Sequence, residues 1–264
     1  MNITEQLHTA IEAALKAGER ILEIYHNEDF DVDFKSDDSP LTKADTASHN
    51  IIMSYLEETE IPVLSEEGKA IPYETRKDWK YLWIVDPIDG TKEFIKKNGE
   101  FTVNIALVHK QVPILGVIYV PVLEELFYAA QGMGAFKAIG ISPETELQTA
   151  LDAGLQLPLE QPQRPYTAVA SKSHLSPETL DYIKSLEVEH GKVAMISKGS
   201  SLKLCMVAEG VADCYPRFAP TMEWDTAAGN AICSYAGKQV IDWENKQEMR
   251  YNREQLLNNW FLVK

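Results

Sequence analysis

One apolar run in this chain ends on acid: Trp83-Ile84-Val85-Asp86-Pro87-Ile88-Asp89-Gly90-Thr91. Pro87 fixes its own φ and removes an N–H donor, and Gly90 permits a sharp bend after the pair. Asp86 and Asp89 can therefore face one small space. Glu66-Glu67 and Asp225 also fall where elements are expected to end, and such ends present ligands readily. Like charges about 4 Å apart repel by roughly 4 kcal/mol at an effective dielectric of about 20. Several carboxylates together, with an anionic substrate added, need cations between them. All-oxygen donors select Mg²⁺ in preference to zinc. Two such ions suit phosphoryl transfer, one at the attacking water and one at the leaving oxygen.

Each acid also has an ordinary structural use. Asp86 and Asp89 can make an Asx turn, and Asp225 can be a plain helix N-cap. Asp45 fits the N3 position of a capping box begun by Thr42. Glu66-Glu67 can be a solvated turn. Each alternative suffices alone; together they require several independent coincidences of acid at element ends.

The elements that must position these groups follow from periodicity. Ile3, Leu7, Ile11, Leu15 and Leu22 keep helical spacing, which predicts an amphipathic helix to about Tyr25. A second helix is expected from about Thr42. Short strands are expected at 61–64, ending before Glu66, and at 81–85, ending at Asp86. Residues 101–108, 114–119, 126–130 and 135–137 read as an antiparallel meander with Pro- and Gly-containing turns. Residues 141–165 hold four prolines and little periodicity, and read as a linker or surface excursion. Beyond it strands and helices alternate, with helices expected at 177–186, 201–209 and 226–235; that order predicts an α/β layer. The division expected is an α+β half over 1–145 and an α/β half over 146–264.

Composition narrows the partners. The net charge of −15 over 264 residues repels polymeric nucleic acid and anionic lipid. A small anionic substrate would need metals or a local basic pocket. Three cysteines, Cys205, Cys214 and Cys233, match no zinc spacing and sit in apolar contexts, which suggests buried thiols in a reducing compartment. The amino terminus does not read as a signal peptide, and no uncharged run is long enough to span a bilayer. A cytoplasmic protein is expected.

LSEEG, WIVDPIDGTKEF and EWDTAAGNAI resemble the motifs of the lithium-sensitive, Mg²⁺-dependent inositol monophosphatase superfamily. SPLTKAD, DPIDGTKEFIKKNGEFTVNIALV, PILGVIYVPV, SKSH, GSSLKLCMVAEG and YPRFAPTMEWDTAAG are similar to its CysQ-type 3′(2′),5′-bisphosphate nucleotidases. The resemblance runs from about Ser39 to Asp242, with 141–165 and both ends weak. It implies an αβαβα layered sandwich, with an antiparallel first sheet and a mixed second layer. It implies that Glu66, Asp86, the Ile88 carbonyl, Asp89 and Asp225 bind two or three Mg²⁺ ions, with Li⁺ or Ca²⁺ inhibitory. Thr91 and Asp45 would take a proton from the attacking water. Glu67 would assist from just outside the metal ligands. The implied reaction removes the 3′-phosphate of adenosine 3′,5′-bisphosphate, giving AMP and phosphate, with the 5′-phosphosulfate analogue a second substrate. Glu66, the Ile88 carbonyl, Asp89, Asp225 and the backbone of Gly90 and Thr91 would also touch the scissile phosphate. Peripheral association with the inner membrane is conceivable by family analogy alone.

Specificity is expected from the second half. Ser171, Ser173 and His174 follow a predicted strand. Gly199-Ser200-Ser201 precedes a helix and can cradle an anion, with Ser200 alternatively a plain cap. Lys203, and Arg217 beyond Tyr215 and Pro216, would supply the positive field for a 5′-phosphate. The alternatives weighed are an inositol monophosphatase, which needs the acids but not SKSH, GSSLK or YPR; a haloacid-dehalogenase-type phosphatase, whose two aspartates lie closer in sequence; and a nucleotide sensor without turnover.

Overall fold

The structure is a computed structural model that describes residues 1–27, 32–34, 40–171 and 175–264, with side chains left out for 32–34, 40 and 41. The predicted first helix is α1 (Ile3–His26), capped by the Asn2 side chain. Strands β1 (Val32–Phe34) and β2 (Pro40–Thr42) pair antiparallel and lead into α2 (Lys43–Leu56). Then come β3 (Val63–Ser65), α3 (Tyr73–Arg76), β4 (Tyr81–Asp89) and α4 (Thr91–Ile95). The meander is β5 (Thr102–His109), β6 (Val112–Val120), β7 (Glu125–Ala130) and β8 (Gly134–Ile139).

The stretch read as a linker instead carries α5 (Leu147–Asp152) and β9 (Leu155–Gln156), and β9 pairs with β8. The first sheet therefore has seven strands in the order β3-β4-β5-β6-β7-β8-β9. It is antiparallel except at β3–β4, which run parallel, so the expectation of a wholly antiparallel sheet is corrected there. The connection through α3 carries the chain back to start β4 in the same direction as β3.

Side-chain alternation assigns the faces of this sheet. Trp83, Val85, Val103, Ile105, Val117 and Tyr119 pack with Leu7, Ile11 and Ile21 of α1 and Ile52 of α2. Their neighbours Leu82, Ile84, Ala106, Ile118 and Phe127 belong to the core on the opposite face. Because both faces are covered, the central strands read as continuous apolar runs.

The rest of the chain forms β10 (Thr167–Ala170), α6 (Pro177–His190), β11 (Ala194–Ser197), α7 (Leu202–Glu209), β12 (Tyr215–Arg217), α8 (Glu223–Tyr235), β13 (Val240–Asp242) and β14 (Phe261–Val263). β10 runs parallel to β11, and β12-β14-β13 is antiparallel. A parallel bridge from Ala168 to Cys214, with Val169 N–H donating to Cys214 O at 2.9 Å, joins the two into one mixed layer. α7 and α8 fill the space between the sheets through Leu204, Val207, Ala228 and Ile232. Ile183 of α6 packs on the outer side, against Ala168, Cys214 and Leu262. The result is the five-layer αβαβα arrangement. All three cysteines are free and buried.

The contact that seats α8 is narrow. A Cβ built on Gly116 of β6 would stand 2.3 Å from Ala228 O and 2.9 Å from Ala231 Cβ. Backbone cannot yield there as a flexible side chain would. Gly116→Ala is expected to lower stability by about 1–3 kcal/mol. A urea midpoint equal to wild type would show that α8 can retreat without cost.

Candidate active site

β4 does not stop at Asp86. Asp86 pairs with Asn104 and Asp89 with Thr102, so three steps on β4 oppose two on β5, and the register shifts between the aspartates. The expected strand end is a bulge inside the strand, the position where a sheet tolerates proline. Asp86 Oδ1 accepts from Ile88 N–H at 3.1 Å, and Ser48 Oγ of α2 donates to Pro87 O at 2.8 Å. The Asx contact is thus present and helps hold the bulge. Gly90 then takes φ of 97°, a left-handed conformation open to glycine.

Asp45 and Asp225 both occupy the N3 position of capping boxes. Thr42 N–H donates to Asp45 Oδ2 at 2.8 Å, and Met222 N–H donates to Asp225 Oδ2 at 2.8 Å. The expected plain N-cap at Asp225 is corrected: α8 begins earlier, and Met222 holds the cap position. Capping occupies one oxygen of each acid. The other oxygen of Asp45, Oδ1, receives Thr91 Oγ1 at 3.2 Å. The same hydroxyl lies 3.5 Å from Ile88 O, so Asp45 is its nearer acceptor.

The acids share their electrostatics. Burial pushes the Asp86 carboxyl well up, and the charges of Glu66, Asp89 and Asp225 push it further. Burial raises Asp89 to about 6, against Lys203, which pulls it down. Asp225 rises to about 8, through burial and then the charge of Asp89. Among the described residues no three His, Cys, Asp or Glu side chains are already closed around a point. The donor set nonetheless fits hard divalent cations: Glu66, Asp86, Asp89 and Asp225 offer only oxygen donors and lie within one another's fields. Each would gain stability from a cation held between them.

A cavity of about 630 Å³ opens beside this cluster. From the first half it is lined by Glu66, Asp89, Gly90 and Thr91. From the second half Ser171, Gly199, Ser200, Ser201, Lys203, Tyr215, Arg217 and Asp225 line it. Asp86 is 2 % exposed and lies beneath the floor. Asp45 stands behind Thr91, and Ile88 is buried in the bulge. Glu67 is half-buried and stands outside the lining. Ser173 and His174 lie outside the described residues.

Lys203 and Arg217 are both buried at the cavity wall. Burial brings Lys203 down to about 8, with Asp89 opposing and Arg217 adding to the fall. Lys203 donates to Ser200 O at 2.5 Å and lies 5.7 Å from the centre of the Tyr215 ring. Arg217 donates to Pro220 O at 2.9 Å, while its buried Nε has no acceptor among the described residues. Ser200 is not a cap, because Ser201 holds that position on α7. Its hydroxyl lies 2.9 Å from Asp89 O and 2.5 Å from Glu100 O, and its φ is 48°. It fastens the second half onto the bulge-bearing strand.

Several participants escape sequence reasoning. Glu100 accepts Gly199 N–H at 2.9 Å and Lys198 Nζ at 3.3 Å. Asn104 Oδ1 accepts Thr102 Oγ1 and Ser201 Oγ, each at 2.9 Å, and its amide lies 3.5 Å from Asp89 Oδ2. A lone asparagine inside the apolar run Thr102-Val103-Asn104-Ile105-Ala106 was the available signal. Lys92, Lys96 and Lys198 join the cavity lining, and nothing in their spacing marks them.

Fold, acid cluster and cavity together define a class. The Inositol monophosphatase family profile matches residues 2–262, and the chain belongs to that family. Within it, the chain is 43% identical over 260 residues to the 3′(2′),5′-bisphosphate nucleotidase CysQ of Salmonella typhimurium, covering 97% of this chain and 98% of the relative. The crystal structure of CysQ from Bacteroides thetaiotaomicron superposes with a TM-score of 0.90 at 55% identity, covering 98% of this chain and 97% of that one. The suhB protein of Bartonella henselae superposes with a TM-score of 0.74 at 26% identity, covering 97% and 92%.

The raised acids set a pH dependence for metal-free protein. A carboxyl whose folded pKa lies above its unfolded value favours the fold while protonated, and that contribution is lost as pH rises through the folded pKa. In EDTA, stability should therefore fall as pH climbs from about 4 through about 6 and about 8. Asp225→Asn keeps an oxygen for the Met222 cap and should flatten the upper part of that fall. Thermal melts with the same slope in both proteins would contradict it.

Proposed function

We propose that the chain is a Mg²⁺-dependent 3′(2′),5′-bisphosphate nucleotidase that hydrolyses the 3′-phosphate of adenosine 3′,5′-bisphosphate to AMP and phosphate. The observation that carries this reading is one cavity lined by both signs of charge: the acids Glu66, Asp89 and Asp225 and the buried cations Lys203 and Arg217. Acids that hold metal ions can take one phosphate and the buried cations a second, as a bisphosphate requires; an inositol monophosphate leaves Lys203 and Arg217 without a phosphate. The nucleotidase named among the relatives supports the same substrate.

Glu66, Asp86, the Ile88 carbonyl, Asp89 and Asp225 would hold the ions. When bound, the ions would supply a lowered water pKa and charge neutralisation at the phosphate. The chain's own part is proton handling and alignment. Thr91 Oγ1 donates to Asp45 Oδ1, which turns its lone pairs toward the cavity to accept from water. As the water oxygen bonds to phosphorus, a proton passes to Thr91 and the Thr91 proton to Asp45. The bond from phosphorus to the ribose 3′-oxygen breaks on the opposite side; its electron pair stays on that oxygen, which takes a proton from solvent to become the 3′-hydroxyl of AMP. Lys203 and the unpaired Arg217 Nε hold the 5′-phosphate in line. The same grip serves a 5′-phosphosulfate, so that analogue is a second substrate. Li⁺ and Ca²⁺ inhibit by displacing Mg²⁺. Glu67, outside the cavity lining, acts through Glu66 instead of touching substrate.

Phosphate release across adenosine 3′,5′-bisphosphate, 3′-AMP and inositol 1-phosphate with Mg²⁺ tests the reading. The bisphosphate should be preferred, and EDTA should abolish release. Thr91→Ala or Asp45→Asn should lower kcat by about 10²–10⁴-fold. Arg217→Met should raise KM for the bisphosphate and leave 3′-AMP unchanged. Preference for the inositol ester, or release that survives chelation, overturns it.

A further inference from the structure

Outside the cavity, a buried polar network links the arm that carries Glu66 to the helix that carries Asp225. Glu223, two residues before Asp225, is fully buried. It accepts Asn252 N–H at 2.6 Å, Arg253 N–H at 3.0 Å and Arg253 Nε at 3.1 Å. Arg253 reaches on to Asn258 Oδ1 at 2.8 Å. Asn258 Nδ2 then donates to Met222 O at 2.7 Å and Thr226 Oγ1 at 3.1 Å. The first turn of α8 is therefore gripped on both sides by residues 252–258.

On the other side stands Arg76, 2 % exposed, at the end of α3. Its Nη1 donates to Asn252 Oδ1 at 2.8 Å and Arg253 O at 2.7 Å, and its Nη2 to Glu254 O at 3.0 Å. Asn252 Nδ2 donates back to Arg76 O at 2.8 Å. Arg76 Nε also donates to Ile71 O at 3.3 Å, inside the loop that follows Glu66. Burying the Arg76 guanidinium and the Glu223 carboxylate, with Arg253 half-buried between them, is costly unless every atom is satisfied. Here the bonds close on one another, and they span from the loop after Glu66, at Ile71 O, to the first turn of α8 that carries Asp225. Hydrophobic packing would hold the elements together without fixing that separation to a fraction of an ångström.

We propose that Arg76, Asn252 and Glu223 are positioning residues: a strut that sets the separation of Glu66 and Asp225 and thereby the affinity of the acid cluster for a divalent cation. This rests on the reading of Glu66 and Asp225 as metal ligands. Asn252 is the most informative place to cut. Its φ is 59°, so Asn252→Gly removes both side-chain bonds to Arg76 without backbone strain. Asn252→Asp keeps the acceptor for Arg76 and tolerates the same φ. Lys137→Met is the stability control, because Lys137 is a buried ion-pair residue bound to Glu125 and Glu209, away from the cavity lining.

The experiment is Mn²⁺ binding to the full chain by calorimetry, beside urea melts and kcat at saturating Mg²⁺. N252G should weaken Mn²⁺ binding by about 10-fold or more and keep kcat once metal saturates. N252D should stay near wild type. R76K provides a second cut, with weakened binding expected again. Wild-type affinity in folded N252G and R76K would overturn the strut, as would equal weakening in K137M. A wild-type chain that binds no Mn²⁺ would instead overturn the metal reading beneath it.

Discussion

The constraint on which this architecture depends is the placement of Glu66, Asp86, Asp89 and Asp225 in one another's fields, a repulsion that Lys203 and Arg217 offset only in part. Four carboxylates so placed oppose folding. The elements that carry them are accordingly fixed by contacts that do not consume their charge. β4 is paired on both sides and covered on both faces, α8 is pressed onto Gly116, and Ser200 fastens the 198–201 loop to Asp89 O. The stability invested in the two cores supports a site that is itself unfavourable, as preorganised catalytic sites require.

The same economy appears in the acids at the two helix starts. Asp45 and Asp225 each use one oxygen to cap a helix. The cap fixes the side-chain rotamer, so the remaining oxygen is aimed without further support. For Asp45 that oxygen meets Thr91; for Asp225 it faces the acid cluster. Structural and chemical readings of these residues therefore do not compete. A helix N-terminus also favours a negative charge, which eases the burial of Asp225 without supplying the full compensation that a cation would.

Much of this was legible in the sequence where the signal was local. The spacing of Leu7, Ile11 and Leu15 gives α1, and Thr42 with Asp45 gives the start of α2. The Pro- and Gly-punctuated runs give the meander. What failed was non-local or unconventional. The strand expected to end at Asp86 runs on, because β5 pairs on both sides of Pro87 across a bulge. Met222 carries no cap signal, so the start of α8 at Glu223 lies three residues before the expected one. β9 has two residues, too few for any period, and exists because the edge of β8 was open to it. Ser200 read as cap or ligand; it is no cap, and it stays in the cavity lining while its hydroxyl is held by carbonyls about a hundred residues earlier in the chain.

The strut shows why the last part of the chain resisted reading. Residues 252–258 have no periodicity and few apolar anchors, and their meaning lies in hydrogen bonds to Arg76 and Glu223, each remote in sequence. A buried glutamate beside a motif aspartate is indistinguishable, in one sequence, from a solvated helix-start acid. Distance is what separates them: Glu223 is wholly enclosed by amides and a guanidinium, whereas Asp225 faces the cavity. Two acids on one helical turn thus divide the work. One is neutralised to hold the turn in place, and the other, with one oxygen spent on the cap, faces the cavity and the neighbouring acids.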